Sequence, residues 1–119
     1  MPFARRATRI EIYKRLCRAR DYIESCYDEP VSLPLLAGVA CLSRHHFLRL
    51  FREIFRMTPH QYLTEVRLQK ARRLVEENDR PVAEVCVAVG FEDPSSFARL
   101  FRRRFGRTPR ALRRPARWR

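Results

Sequence analysis

A segment of thirteen residues occurs twice in this chain, fifty positions apart, and no other feature restricts the fold as much. Residues 47–59 laid over 97–109 agree without a gap at Phe47 and Phe97, Arg49 and Arg99, Leu50 and Leu100, Phe51 and Phe101, Arg52 and Arg102, Phe55 and Phe105, Thr58 and Thr108, and Pro59 and Pro109. In each copy the large apolar residues fall at i, i+3, i+4 and i+8, which is one stripe of an α-helix. Such a stripe must be buried, so each copy needs helices of its own to pack against. Two copies are fewer than the three or more repeats that a stacked array requires. The chain reads as a tandem pair of small helical units.

The flanking sequence supplies the partner helices. Ile12, Leu16, Ala19, Ile23 and Cys26 recur at three and four, predicting a helix from about Ile10 to Tyr27 that ends at Asp28, Glu29 and Pro30. Ser32 is placed to cap a short helix through Ala40, and Ser43 to cap a second one to about Arg56. Two helices joined by so tight a turn form a helix-turn-helix. Thr58, Pro59 and Gln61 spell a capping box with a first-turn proline, opening a long helix to Glu77 with Leu63, Val66, Ala71, Leu74 and Val75 on its apolar face. The pattern then returns: a short helix over residues 82–89, a break at Gly90, a helix capped by Asp93 and Pro94 that reaches Phe105, and a last short helix opened by Thr108 and Pro109. With only three glycines and no alternating β-branched run, the class is all-α with about seven helices. The expected organisation is a basic N-terminal arm (1–9), a first helix-turn-helix subdomain (10–57), a linker helix (58–79), a second helix-turn-helix subdomain (80–114) and a basic tail (115–119).

Core packing accounts for the phenylalanines but not for the arginines that repeat with them. His45, Leu48, Arg49 and Arg52 share the opposite face of the first repeated helix, and Ser95, Ala98, Arg99 and Arg102 that of the second. A guanidinium fork on guanine O6 and N7 is the commonest specific contact in the major groove. Arg49 and Arg99 are therefore the expected base readers. Arg52 and Arg102, with Arg103, are the expected phosphate contacts, which position a protein without reading sequence. His45 is expected at the groove, whereas His46 beside it points about 100° away and has no assigned role. Ser95 and Ser96 lie where the first turn of a recognition helix approaches bases or phosphates. The connecting helix, at nineteen residues and about 1.5 Å each, is roughly 28 Å long, close to the ~34 Å that separates successive major-groove faces.

The formal net charge of +13 supports a polyanionic partner. It is concentrated: from Arg99 onward there are arginines and no acidic residue. The preference for arginine over lysine suits bidentate contacts, and equally fits a GC-rich genome. No apolar run approaches the ~20 residues of a membrane-spanning helix and no signal peptide is visible, so a cytoplasmic, nucleoid-associated protein with no membrane partner is expected. Cys17, Cys26, Cys41 and Cys86 show no metal spacing and are read as reduced, partly buried thiols. No metal cluster or nucleophile with a positioned base appears, so neither an enzyme nor a bound cofactor is expected. A basic module that binds nucleic acid without sequence preference is the alternative, although it would not need two matched faces.

Beyond these physical readings, the stretch VAEVCVAVGFEDPSSFARLFRRRFGRTP resembles the signature of the AraC/XylS family of bacterial transcription regulators, and QYLTEVRLQKARRLVEEN is similar to that family's linker helix. The resemblance runs from about Ile12 to Arg114. It implies an all-α fold and sequence-specific binding of double-stranded DNA through two recognition helices in adjacent major grooves. It places base contacts on His45, Leu48, Arg49, Ser95, Ser96 and Arg99, and phosphate contacts near Ser43 and Arg44. RNA polymerase is a further expected partner, because members often activate by touching it. The chain departs from the pattern at Cys41 and Arg56, where glycine is usual, and at Pro94 and Ala98, where polar residues are usual. Most members also carry an N-terminal effector and dimerisation domain. This sequence shows none and so has no small-molecule effector site of its own; it reads as a stand-alone member or as a fragment of a larger effector-responsive regulator.

Overall fold

The computed structural model describes residues 2–77 and 79–113, with side chains from residue 7. Seven helices and no strand occur among them: α1 (Pro2–Cys26), α2 (Leu33–Ala40), α3 (Arg44–Phe55), α4 (Pro59–Glu77), α5 (Val82–Ala88), α6 (Pro94–Phe105) and α7 (Pro109–Arg113). They divide into two compact units, Met1–Thr64 and Glu65–Arg119, with the division inside α4. In the first unit α1 packs on α2 and α3, and α2 on α3; in the second, α5 and α7 pack on α6. The expected tail, 115–119, and Asn78 lie outside the described residues.

The helix ends follow from local chemistry. Ser32 Oγ accepts the Leu35 N–H at 3.2 Å and Ser43 Oγ the His46 N–H at 3.1 Å, each satisfying an amide that the first turn leaves without a partner. Thr58 and Gln61 form a reciprocal box, with Gln61 N–H donating to Thr58 Oγ1 at 3.1 Å and Thr58 N–H to Gln61 Oε1 at 2.9 Å. Thr108 repeats the first half of this, accepting from Ala111 N–H at 3.1 Å. One boundary differs from expectation: α1 begins at Pro2, so the residues read as a basic arm continue the helix. The apolar stripe that starts at Ile12 marks where α1 meets the core. Helix formation itself needs only a proline at the first position and good formers such as Ala4, Arg5, Arg6 and Ala7 behind it.

Each unit has its own core. The first buries Leu16, Ala19, Ile23, Leu36, Ala37, Ala40, Phe47, Phe51 and Leu63; the second buries Leu68, Ala71, Val75, Val85, Cys86, Val89, Phe97 and Phe101. The repeated stripe is a ring ladder in both copies. Centroids stand 5.5 Å apart for Phe47–Phe51 and 4.6 Å for Phe51–Phe55, against 5.7 Å for Phe97–Phe101 and 4.8 Å for Phe101–Phe105. Leu50, Phe55, Leu100 and Phe105 are only half-buried at the stripe's margin. Arg20 covers the Phe55 ring at 5.4 Å, and Arg72 and Arg104 each cover Phe105 at 5.0 Å. Tyr62, edge-on to Phe51 at 5.9 Å, donates its hydroxyl to Glu24; burial, then that bond to a carboxylate, pushes the phenol up to about 12.

The tight turns show what the missing glycine means. Gly90 closes α5 at φ 99°, with Phe91 N–H reaching back to Cys86 O at 3.0 Å. Cys41 does the same for α2 at φ 57°, with Leu42 N–H bonding Ala37 O at 3.0 Å. The left-handed conformation costs an L-residue about 1–2 kcal/mol, and glycine avoids that at an entropic cost of roughly 0.5–1 kcal/mol. Cys41→Gly is therefore expected to stabilise the first unit by about 0.5–1 kcal/mol in urea unfolding, and a destabilised variant would show that the cysteine side chain holds the turn. All four cysteines are free; Cys86 is buried, with its thiol directed to Phe91 O, Cys17 and Cys26 are half-buried, and Cys41 is exposed rather than partly buried as expected.

Candidate nucleic-acid interface

In the first unit the face of α3 opposite the phenylalanines is uncovered. His45, Arg49 and Arg52 are exposed, Leu48 is 37% exposed, and all four line one open groove with Glu53, Arg56 and Thr58. At the N-terminal end Ser43 and Arg44 are exposed. Ser43 Oγ is occupied as an acceptor by the His46 amide, which leaves its hydroxyl proton to donate outward. A neutral cap with a free donor, on the positive end of a helix, is suited to a phosphate.

The second unit repeats the face with a different entrance. Arg99 and Arg102 are exposed and line a groove with Ala98, Arg103, Gly106 and Thr108. Ser95 is exposed and Ser96 half-buried. The cap is the carboxylate of Asp93: Oδ1 accepts the Ser95 N–H at 3.1 Å and Oδ2 the Ser96 hydroxyl at 2.7 Å. The Ser96 bond is the main reason the Asp93 carboxyl sits below the usual range; the Ser95 and Ser96 amides and the Arg99 charge act in the same direction. Ser96 thus spends its proton internally and offers only lone pairs, and the anionic cap repels phosphate. The Ser96 lone pairs can accept from a base amino group, while the exposed Ser95 hydroxyl can donate as well as accept.

Ion pairing separates structural arginines from available ones. Among the described residues, Arg15 pairs with Glu11 and Arg72 with Glu76 along their own helices, and Arg80, just ahead of α5, pairs with Glu84 in its first turn. Arg104 grips Glu65 with Nε and Nη2 at 2.9–3.1 Å, and this fork holds the Glu65 carboxyl below its ordinary range. By contrast, the guanidinium groups of Arg44, Arg49, Arg52, Arg99, Arg102 and Arg103 make no ion pair or hydrogen bond among the described residues. The predicted contact residues thus fall into two groups, one per unit, and all are exposed except the half-buried Ser96. The role of Arg104 was not anticipated. Asp93 was legible as a cap, whereas the Arg104–Glu65 pair spans 39 positions and left no local signal.

Two helix-turn-helix units, each with an uncovered arginine-bearing helix, define a tandem DNA-binding domain. The sequence profile described as a helix-turn-helix domain matches residues 36–115. The chain belongs to the AraC/XylS family of DNA-binding transcription regulators, a family of regulators rather than enzymes. The probable transcriptional regulator LumQ of Photobacterium leiognathi is 37% identical over 89 residues, 75% of this chain and 36% of that protein. The HTH-type transcriptional activator RhaS of Yersinia pestis is 35% identical over 99 residues, 83% of this chain and 36% of its own. The chain therefore spans 36% of the length of these curated relatives. Among solved structures, an AraC-type regulator from Chromobacterium violaceum matches with a TM-score of 0.79 at 30% identity, over 85% of this chain and 90% of that one. The DNA-binding domain of AdpA, solved in complex with a target DNA, matches with a TM-score of 0.78 at 34% identity, over 82% and 88%. No helix among the described residues is long and apolar enough to cross a membrane, and no cluster of side chains there could hold a metal ion.

Proposed function

We propose that this chain binds double-stranded DNA sequence-specifically, α3 and α6 each entering a major groove, so that one molecule reads an asymmetric two-part site in the cytoplasm. The observation that carries this reading is the pair of matched, unpaired guanidinium faces, Arg49 with Arg52 and Arg99 with Arg102. The AdpA domain, solved on a target DNA, supports duplex DNA as the ligand. Arg49 and Arg99 read bases, with His45, Leu48, Ser95 and Ser96 beside them; Ser43, Arg44, Arg52, Arg102 and Arg103 take phosphates. Transcriptional activation through RNA polymerase belongs to the same proposal, since RhaS is an activator.

Selection from a random duplex library tests it. Two short conserved elements about one helical turn apart are expected. A single element, or no enrichment, would refute the two-groove reading. On the selected site Arg49→Ala and Arg99→Ala should each cost about 1–3 kcal/mol and relax preference at one element only. Equal losses on random DNA would make both residues phosphate contacts.

A further inference from the structure

The first recognition helix ends on a residue that its repeat partner shows to be unfavourable there. Arg56 closes α3 at φ 64°, its N–H bonding Arg52 O at 2.9 Å; fifty positions on, Gly106 closes α6 at φ 81° with the matching bond to Arg102 O at 2.7 Å. The backbone needs the same left-handed turn in both units. Only glycine takes it without strain, and arginine lacks the short polar side chain by which asparagine or aspartate eases it. Strain of this kind collects at functional sites. Cys41 shows that strain alone identifies nothing, so the second observation is position. Arg56 is exposed and lines the same open groove as Arg49 and Arg52, from which it follows at steps of three and four along one helical stripe. Its guanidinium makes no ion pair or hydrogen bond among the described residues, although Glu53 borders the same groove. In the second unit the equivalent groove ends in the bare Gly106.

We infer that Arg56 is a further DNA-binding residue, the third guanidinium of the first unit's face, and that it grips a backbone phosphate. The inference rests on the DNA-binding reading above. A phosphate is the partner because the N-terminal part of a recognition helix meets base edges while its far end lies toward the sugar-phosphate strand. It follows that the first unit holds DNA by one phosphate contact that the second lacks.

The test uses the whole chain, a duplex of random sequence as the probe, and three variants. Arg56→Gly should raise Tm by roughly 2–5 °C by relieving the strain. It should also weaken binding about fivefold at 0.15 M salt and make the slope of log K against log salt shallower by about 0.9, the signature of one lost phosphate contact. Cys41→Gly, which relieves the same strain away from the groove, should raise Tm and leave the slope unchanged. Arg56→Lys should keep most of the slope. A more stable Arg56→Gly protein with unchanged affinity and slope would overturn the inference while leaving the DNA-binding reading intact, and a lowered Tm would overturn the strain argument beneath it. If the unaltered chain showed no salt-dependent binding to duplex DNA, the reading itself would fail.

Discussion

Phe101→Ala is expected to cost about 3–5 kcal/mol and to melt the second unit before the first, while Phe51→Ala does the reverse. Both rings are completely buried. Each stands in the middle of its ladder, within 5.7 Å of the ring before it and 4.8 Å of the ring after it. Truncation therefore removes the transfer energy of the ring and leaves a cavity that two flanking aromatics must collapse into. A single core in a unit of this size rarely contributes more than about 3–5 kcal/mol of net stability, so the loss is comparable to the whole. Amide exchange resolved by residue checks it: protection should vanish over α5 and α6 in Phe101→Ala and over α2 and α3 in Phe51→Ala. A single transition with equal loss across all seven helices, in either variant, would show that the two cores do not act separately.

Those two phenylalanines also show why so much of the fold was readable. A stripe at i, i+3, i+4 and i+8 carries its own prediction of which side is buried, and finding it twice made each copy a check on the other. The caps were equally legible because they are local: Ser32, Ser43 and the Thr58–Gln61 box act within three residues of the amides they satisfy. What escaped was of two kinds. The N-terminal extension of α1 escaped because apolar periodicity reports packing, and residues 7–10 of that helix are all exposed. The Arg104–Glu65 fork escaped because it joins residues far apart in the sequence, and nothing in RLFRRRF says which arginine of the run turns inward. The exposed face could be read as a set, therefore, but its division into paired and unpaired cations required the structure. Leu68, buried in α4, was missed although it stands three and seven residues before Ala71 and Val75 on one helical stripe, and so was readable from periodicity.

That division also sets the size of the electrostatic effect. Five unpaired guanidiniums are assigned to phosphates: Arg44, Arg52 and Arg56 in the first unit, Arg102 and Arg103 in the second. Each phosphate neutralised releases counterions, so log K should fall against log salt with a slope of about −0.9 per contact, or about −4.5 for five. Raising salt from about 50 to 200 mM is then expected to weaken binding about 500-fold, on selected and random duplexes alike. The gap between those two affinities should persist, because the proposed contacts of Arg49 and Arg99 are to base edges, which carry no condensed counterions. A titration at four or more salt concentrations measures both quantities together. A slope near −1 would mean that the exposed arginines are a solvated surface and not a phosphate-binding one. A steep slope with no difference between selected and random duplexes would leave a basic module that grips any DNA, with its matched recognition faces unused.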